Sequence, residues 1–289
     1  MPGQINSHTA AWMRSLPAPW HTRVVTSAAD QLPRESGVAT IWVGGSLANG
    51  VGDIYSDVDL NLIVEDDTTD FWRTHWSDAL ERCAGRLILA IDLGAPIIGG
   101  FALTEAWEHV DFIVHERSAF QQPASSLPIY DPDELLVPAT EFSPSAGSPY
   151  YPAGPVKFFL YLVGNLVVSL GRSELIVAHS GVNALRDQLV KLMLAENGIQ
   201  KTDGNKRLNP YLTPQQKDLL EHLPTPPVSK TAITEACRAI TADFVVRARL
   251  LAEATGNSFP DELMAATDQH LSKHLDGWVP IENGLDSGR

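Results

Sequence analysis

Residues 39–64 read ATIWVGGSLANGVGDIYSDVDLNLIV, and this stretch decides the fold of the first half of the chain. An apolar run over 38–43 stops at a Gly-Gly-Ser turn (44–46), and a second apolar run then begins around Asp57 and Asp59. Backbone N–H groups of glycine can approach a phosphate closely because no Cβ intervenes. Residues two apart in a strand point to the same face, about 7 Å apart at roughly 3.3 Å per residue. Same-face carboxylates beside such a turn indicate a magnesium–nucleotide site.

The composition is that of a globular, acidic chain. Its 289 residues favour about two domains. Hydrophobic residues make up 44% and charged residues 19%, so the chain can bury a core. Lys and Arg number 21 against 35 Asp and Glu, which gives a formal net charge of −14. A nucleic-acid partner is not expected, because phosphate backbones need basic patches. The acidic balance suits a cationic small substrate, or it serves solubility alone.

Cysteine use and hydropathy favour a cytoplasmic protein. Cys83 and Cys237 are far apart and match no zinc spacing, so both are expected to be buried thiols in a reducing compartment. The first twenty residues lack the apolar core of a signal peptide. The longest apolar stretch, 158–170, is interrupted by Gly164 and Asn165 and reads as too short to span a bilayer. No membrane partner is therefore expected.

The first half alternates apolar runs with helical spacing. A helix is predicted over 20–35 and another over 70–84, with Trp72 and Trp76 on its core face. Trp107 is also expected in the core rather than as a stacking platform for a substrate. One helical crossover and a later hairpin predict a mixed sheet. Its strands are expected at 38–43, 58–64, 87–93 and 110–115, with a further short strand at 97–103.

Prolines separate this part from a helical second half. Eight of them fall between Pro123 and Pro155, a density that predicts an extended connection with one short strand over 127–130. The fold class is therefore α+β: a mixed-sheet domain over 1–142 and an all-α helical bundle over 143–289. The helices of the bundle are predicted at 156–170, 173–197, 214–222, 230–255 and 260–275.

The stretch 38–64 resembles the signature of the DNA polymerase β-type nucleotidyltransferase superfamily, a Gly-Ser turn followed by Asp-x-Asp on the next strand. The layout is similar to that of the aminoglycoside and lincosamide nucleotidyltransferases, in which a catalytic α/β domain precedes a helical domain. The sharp match covers only this stretch. The resemblance implies that 1–142 is a nucleotidyltransferase catalytic domain and that 143–289 binds the substrate.

The resemblance also implies roles for residues of the first domain. The turn Gly44-Gly45-Ser46 would hold the triphosphate of ATP, and Asp57 and Asp59 would ligate Mg²⁺. The superfamily usually supplies a third metal carboxylate from a later strand. Asp111, in an apolar run, fits that place, and Asp92 is the competitor, although a strand-end turn also explains Asp92 because Gly94 and Pro96 follow it.

Two residues of the helical half are further candidates. Glu174 follows Ser173, a predicted N-cap, and either favours the helix dipole or acts as a base or substrate contact. Lys206 lies in a loop and either reaches the nucleotide phosphates or is simply solvated. The general base that accepts the proton of the acceptor hydroxyl is Asp111 or Glu174, and the sequence does not separate them.

The function implied by the resemblance is transfer of AMP from Mg-ATP to a hydroxyl of a small molecule, with an aminoglycoside-type antibiotic as the expected acceptor and antibiotic resistance as the expected role. Two alternatives stay open. One is a protein-modifying adenylyltransferase of a toxin–antitoxin type, and the other is a nucleotide-binding module without catalysis. The sequence does not reveal which hydroxyl is modified or whether the donor is ATP or another nucleotide. It does not reveal the oligomeric state either.

Overall fold

The computed structural model describes residues 7–122, 126–136, 147–200 and 207–281. The chain divides into two compact units, 1–143 and 144–289, and each is described by itself.

A six-stranded sheet forms the centre of the first unit. Its strands are β1 (Val38–Val43), β2 (Val58–Val64), β3 (Leu87–Asp92), β4 (Ile98–Thr104), β5 (His109–Glu116) and β6 (Leu127–Tyr130). They lie in the order β3-β4-β5-β2-β1-β6. The neighbours β2 and β5 run parallel and the other neighbouring pairs run antiparallel, so the predicted mixed sheet is confirmed.

Two long helices cover one face of this sheet. In α4 (Thr69–Ala84), Trp72 and Trp76 lie four residues apart, so both fall on one side of the helix, and both are buried. They stack with Phe112 of β5 at ring-centroid distances of 6.1 and 6.2 Å. The other helices of this unit are α1 (Ser7–Arg14), which the sequence analysis did not predict, α2 (Pro19–Gln31) and the single turn α3 (Gly45–Ala48).

Of the proline-rich segment, residues 126–136 belong to the first unit and residues 147–155 to the second. The predicted strand at 127–130 is present as β6, and it pairs antiparallel with β1 at the edge of the sheet. An edge position tolerates Pro128 because proline lacks a ladder donor. Leu136 then packs with Trp42 and Ile63 in a small cluster.

The prediction that Trp107 lies in the core is wrong, because its side chain is 75% exposed. It sits in the turn between β4 and β5 with a φ of 61°, in the left-handed region, and its backbone N–H donates to the carbonyl of Thr104. A turn residue between two hairpin strands lies beyond the layer that packs against α4.

Both cysteines are buried as predicted, and burial raises the pKa of Cys83 and of Cys237 to about 12.

The second unit is helical, as predicted. Its core is one apolar cluster in which Phe159 and Phe244 stack at a centroid distance of 3.6 Å. The helices are α5 (Ala153–Gly171), α6 (Leu175–Glu196), α7 (Pro214–His222), α8 (Lys230–Ala254) and α9 (Asp261–His274).

The helix α5 is 19 residues long, and by length and composition it could cross a membrane. The apolar stretch at 158–170 lies within this helix, which begins five residues earlier, at Ala153, and is therefore longer than the stretch itself. Core helices pass the same test, so α5 is weak evidence for a membrane span. The side chains that α5 buries in the core of this unit are those of Val156, Phe159, Leu160, Val163, Leu166 and Leu170.

Candidate active site

The Gly-Gly-Ser turn lies directly against Asp59. The backbone N–H of Gly44 donates to the carbonyl oxygen of Asp59 at 2.8 Å, which ties the end of β1 to the start of β2. Gly45 has a φ of +58°, and a Cβ added there would lie 1.9 Å from Oδ2 of Asp59. Only a glycine at position 45 leaves room for this carboxylate, so the turn and the acidic strand form one site.

The parallel pairing of β2 with β5 brings carboxylates from distant parts of the sequence together. Asp59 is the register partner of Asp111, and Val58 is the partner of Val110. Asp57 lies immediately before β2, two residues from Asp59. Because strand residues two apart share a face, His109 and Asp111 line up beside Asp57 and Asp59.

His109 lies between two of these carboxylates. Its Nδ1 is 3.4 Å from Oδ2 of Asp57, and its Nε2 is 2.9 Å from Oδ1 of Asp111. One ligand atom from each of Asp57, His109 and Asp111 lies within 4.8 Å of the others, and all three residues are half-buried. Such a cluster of oxygen and nitrogen donors could hold a divalent cation.

A buried histidine of α2 fixes the loop that leads to Asp57. The backbone N–H of Ala18 donates to Nδ1 of His21 at 3.1 Å, so Nε2 carries the proton and donates to the carbonyl of Ser56 at 2.9 Å. The hydroxyl of Ser46 donates to Oγ of Ser56 at 3.1 Å. Two hydrogen bonds, one from His21 and one from Ser46, thus hold Ser56, the residue that precedes Asp57.

Asn61 and His115 form a hydrogen-bonded pair that supports the backbone of Asp59. The amide of Asn61 donates to the carbonyl oxygen of Asp59 at 3.1 Å, and its Oδ1 lies 3.2 Å from Nε2 of His115. The His115 ring stacks on Trp42 at a centroid distance of 5.1 Å. Burial lowers the pKa of His115 below its usual value, which favours the neutral ring.

Comparison with known families agrees with this geometry. Residues 25–118 match the family model described as "Nucleotidyltransferase domain". This segment forms a nucleotidyltransferase domain. It contains β1 to β5, the Gly-Gly-Ser turn, Asp59 and the three residues Asp57, His109 and Asp111, and it supports a nucleotidyltransferase activity for the chain.

Among solved structures, the chain is similar to an aminoglycoside 6-adenyltransferase from Bacillus subtilis. The two sequences are 14% identical, the match covers 90% of this chain and 100% of that one, and the TM-score is 0.41. No curated protein matches the chain significantly.

The two residues predicted as a third metal carboxylate, Asp111 and Asp92, lie in different parts of the sheet. Asp111 is adjacent to Asp59, whereas Asp92 lies at the end of the outer strand β3, with β4 and β5 between it and β2. The Asp92 carboxylate accepts hydrogen bonds from Nε1 of Trp76 at 3.1 Å and from the backbone of Gly94 at 2.6 Å. Asp92 therefore closes a strand end and lies outside the cluster.

Glu174 lies in the second unit, where the local structure differs from the prediction. The helix α6 begins at Leu175, and the residue at its N-cap is Glu174 rather than Ser173. Ser173 instead has a φ of 59°, because the chain turns sharply from α5 into α6. The Glu174 side chain makes no capping hydrogen bond and is exposed. Among the described residues, the Glu174 carboxylate therefore interacts with the start of α6 only through the helix dipole.

A cavity of about 430 Å³ adjoins Glu174 within the second unit. Its walls come mainly from α5 and α6 and are largely apolar, and Arg172 and Glu174 supply charge to its lining. Gly181 faces open space, since a Cβ added there would meet no atom within 4 Å. The apolar lining is formed by Leu162, Leu166, Val168, Val177, Ala178, Ala184, Leu185 and Cys237. Lys206, the other candidate of the helical half, lies outside the described residues.

Two residues of the site were missed by the sequence analysis. His109 stands two residues before Asp111, and the same alternation that groups Asp57 with Asp59 would have placed it on the face of the cluster. His21 carried no signal of that kind. It lies on a helix whose apolar neighbours alone predict burial, and its contact with Ser56 joins distant segments.

Proposed function

We propose that the chain transfers AMP from ATP to a hydroxyl group of a small molecule. The observation that carries the proposal is the acidic cluster on two adjacent parallel strands, next to a glycine turn that accommodates Asp59. The match of residues 25–118 to a nucleotidyltransferase domain supports the reaction class. In this reaction the acceptor oxygen bonds to the α-phosphorus, the bond to the bridging oxygen breaks, and pyrophosphate leaves.

The donor set of the cluster fits a divalent cation. The carboxylates of Asp57, Asp59 and Asp111 offer hard oxygen ligands, which suit Mg²⁺. We propose these three residues as its ligands. When bound, the cation would neutralise phosphate charge and stabilise the attacking and leaving oxygens.

We propose that the turn 44–46 receives the phosphate chain of the nucleotide. The N–H groups of Gly45 and Ser46 open the single-turn helix α3, and the hydroxyl of Ser46 is held by Ser56 close to the acidic strand. Glycine backbone can lie against phosphate oxygens without a side chain in the way. Lys206 stays a prediction for the same phosphates.

Deprotonation of the acceptor hydroxyl needs a base, and Asp111 and Glu174 both stay candidates. Asp111 is part of the cluster and interacts with His109. Glu174 presents an exposed carboxylate beside a cavity. The two roles differ in kinetics. Loss of a base lowers kcat and changes its pH profile, whereas loss of a ground-state contact raises KM alone. The variant Glu174→Gln separates these outcomes.

We propose a cationic acceptor, of which an aminoglycoside is the expected example. The formal net charge of −14 attracts polycations, and Glu174 offers a carboxylate partner in the second unit. The largely apolar lining of the cavity would suit an acceptor that also carries an apolar group. A panel of acceptors should therefore include both polycationic sugars and amines with an apolar body.

The test is a turnover assay with purified protein, ATP labelled at the α-phosphate, a divalent cation and the acceptor panel. We expect pyrophosphate release together with an acceptor whose mass increases by AMP. Asp57→Asn should abolish both signals, while Asp92→Asn should retain them because Asp92 lies outside the cluster. Label in protein bands instead would indicate protein modification. Tight ATP binding without any product would indicate a binding module, and either result would contradict the proposal.

A further inference from the structure

We infer that His109 is a direct ligand of the cation and that the site binds first-row transition dications, such as Mn²⁺ or Co²⁺, more tightly than Mg²⁺. The inference deepens the proposed function, since it concerns the same acidic cluster. It makes His109 the residue that determines metal selectivity.

The position of His109 in the sheet supports a ligand role. It begins β5, and it shares a strand face with Asp111 two residues later. Its two ring nitrogens lie 3.4 Å from an oxygen of Asp57 and 2.9 Å from an oxygen of Asp111. An imidazole between two carboxylates needs little movement to share a cation with them, because its donor atom is already within 4.8 Å of theirs.

The backbone around His109 holds this arrangement in place. On one side β5 pairs with β2, and on the other side His109 is the register partner of Leu103 on β4. The rings of His109 and Phe101 form a T-shaped pair at a centroid distance of 6.0 Å, a contact that restricts the His109 ring. A ligand on a central strand is positioned more rigidly than one on a loop.

Ligand chemistry then predicts the selectivity. Mg²⁺ takes oxygen ligands at near-ideal octahedral geometry, and imidazole nitrogen contributes little to its binding. Transition dications accept imidazole and carboxylate together, with affinities that rise from Mn²⁺ through Co²⁺ to Zn²⁺ and Cu²⁺. A cluster of carboxylates with one imidazole therefore favours a transition ion over Mg²⁺ more strongly than carboxylates alone would.

The experiment measures metal binding without nucleotide, so it does not depend on turnover. The metal-free full chain is titrated with Co²⁺ and with Mg²⁺ by calorimetry, and bound Co²⁺ is followed by its visible absorption. His109→Asn replaces the ring nitrogen with amide groups. The matched control is His75→Asn, the same substitution in the same unit, at an exposed residue of α4 outside the cluster. Thermal unfolding of each variant verifies the fold.

Loss of an outer-shell partner alone costs about 10–100-fold in metal affinity, so His109→Asn should weaken Co²⁺ binding by at least about tenfold and change its absorption spectrum. Mg²⁺ affinity should change little, and His75→Asn should leave both unchanged. Equal Co²⁺ affinity and spectrum in wild type and His109→Asn would overturn the inference. Tighter binding of both ions by His109→Asn would also overturn it, because His109 would then act as a competing cation. Absence of AMP transfer, in contrast, contradicts only the proposed function.

Discussion

Asp59 and Asp111 are register partners on neighbouring parallel strands, although fifty-one residues separate them in the sequence. Two carboxylates side by side repel each other, and a shared cation or a nearby imidazole offsets the repulsion. The position of His109 against Asp111 and Asp57 provides one such partner. A cation would offset the same repulsion, which is what the proposed metal site requires.

The first prediction contrasts two strand aspartates. Asp111→Asn should reduce kcat/KM for AMP transfer by about a thousandfold, because metal stabilisation of charge is worth several kcal/mol and each 1.36 kcal/mol is about tenfold in rate. Asp92→Asn should stay within a few-fold of wild type, since its partners are Trp76 and Gly94. Steady-state kinetics of the two variants give the answer. Equal losses in both would show that Asp111 has no special role.

The second prediction concerns the glycine turn. Gly45→Ala puts a methyl group 1.9 Å from the present position of Oδ2 of Asp59, so the carboxylate must move and metal affinity should fall by at least about tenfold. Gly50→Ala is the matched control, because Gly50 also has a positive φ, +70°, but its added Cβ meets nothing within 4 Å. Both variants should lose about 1–2 kcal/mol of folding stability from backbone strain.

Calorimetric titration with a divalent cation and urea unfolding measure these two effects separately. Similar metal affinities for the Gly45→Ala and Gly50→Ala proteins would mean that Asp59 does not need the space above Gly45. A large loss of stability in Gly45→Ala alone would assign the glycine to folding rather than to the site.

Much of the fold follows from local patterns in the sequence. The apolar runs at 38–43 and 58–64 predict β1 and β2 with their observed bounds, because short apolar runs between turn residues leave the chain few alternatives. Helices in the second half are predicted within a few residues for the same reason. The N-terminal helix α1 was missed, since its eight residues include few apolar positions in a regular pattern.

What the sequence does not reveal is which distant segments meet. The pairing of β2 with β5 decides that Asp111 and not Asp92 joins the cluster, and strand order depends on packing across the whole sheet. The contact of His21 with Ser56 is of the same kind. The N-cap at Glu174 was missed for a different reason, because Ser173 has a left-handed backbone that the tight turn after α5 imposes.

A third prediction concerns stability at acidic pH. Burial lowers the folded-state pKa of His115 below its ordinary value of 6.5, so the unfolded chain binds a proton at higher pH than the folded one. Stability should therefore fall as pH drops below about 6.5, towards the lowered folded-state pKa. His115→Gln removes this titration and keeps a polar partner for Asn61, so it should lose less stability than wild type between about pH 7.5 and about pH 5.5.

Urea unfolding of both proteins at the two pH values measures the difference directly. A wild-type protein whose stability changes with pH no more than that of His115→Gln would contradict the prediction. An NMR titration of the His115 ring gives an independent value, and an apparent pKa at or above about 6.5 would count against the effect of burial.

The last prediction uses two glycines of the second unit that should respond oppositely to the same substitution. Gly181 lies within α6 without a positive φ, and its added Cβ meets no atom within 4 Å, so Gly181→Ala should stabilise the protein by about 0.5–1 kcal/mol through reduced backbone entropy of the unfolded chain. Gly198 follows α6 with a φ of +70°, and its added Cβ would lie 1.9 Å from the carbonyl oxygen of Gly147. Gly198→Ala should therefore destabilise the protein, by more than the about 1–2 kcal/mol of backbone strain alone.

The midpoint of urea unfolding, followed by helical circular dichroism, should rise for Gly181→Ala and fall for Gly198→Ala. The fall has a second cause, because the backbone N–H of Gly147 donates to the carbonyl of Gly198 at 3.1 Å, and a shifted Gly147 would lose this bond. A lower midpoint for Gly181→Ala would mean that the space beside α6 is filled in solution, for example by side chains that relax into the cavity. Gly181→Leu would place a larger side chain in the same space, and a weaker acceptor affinity than that of wild type would show that a ligand uses this space.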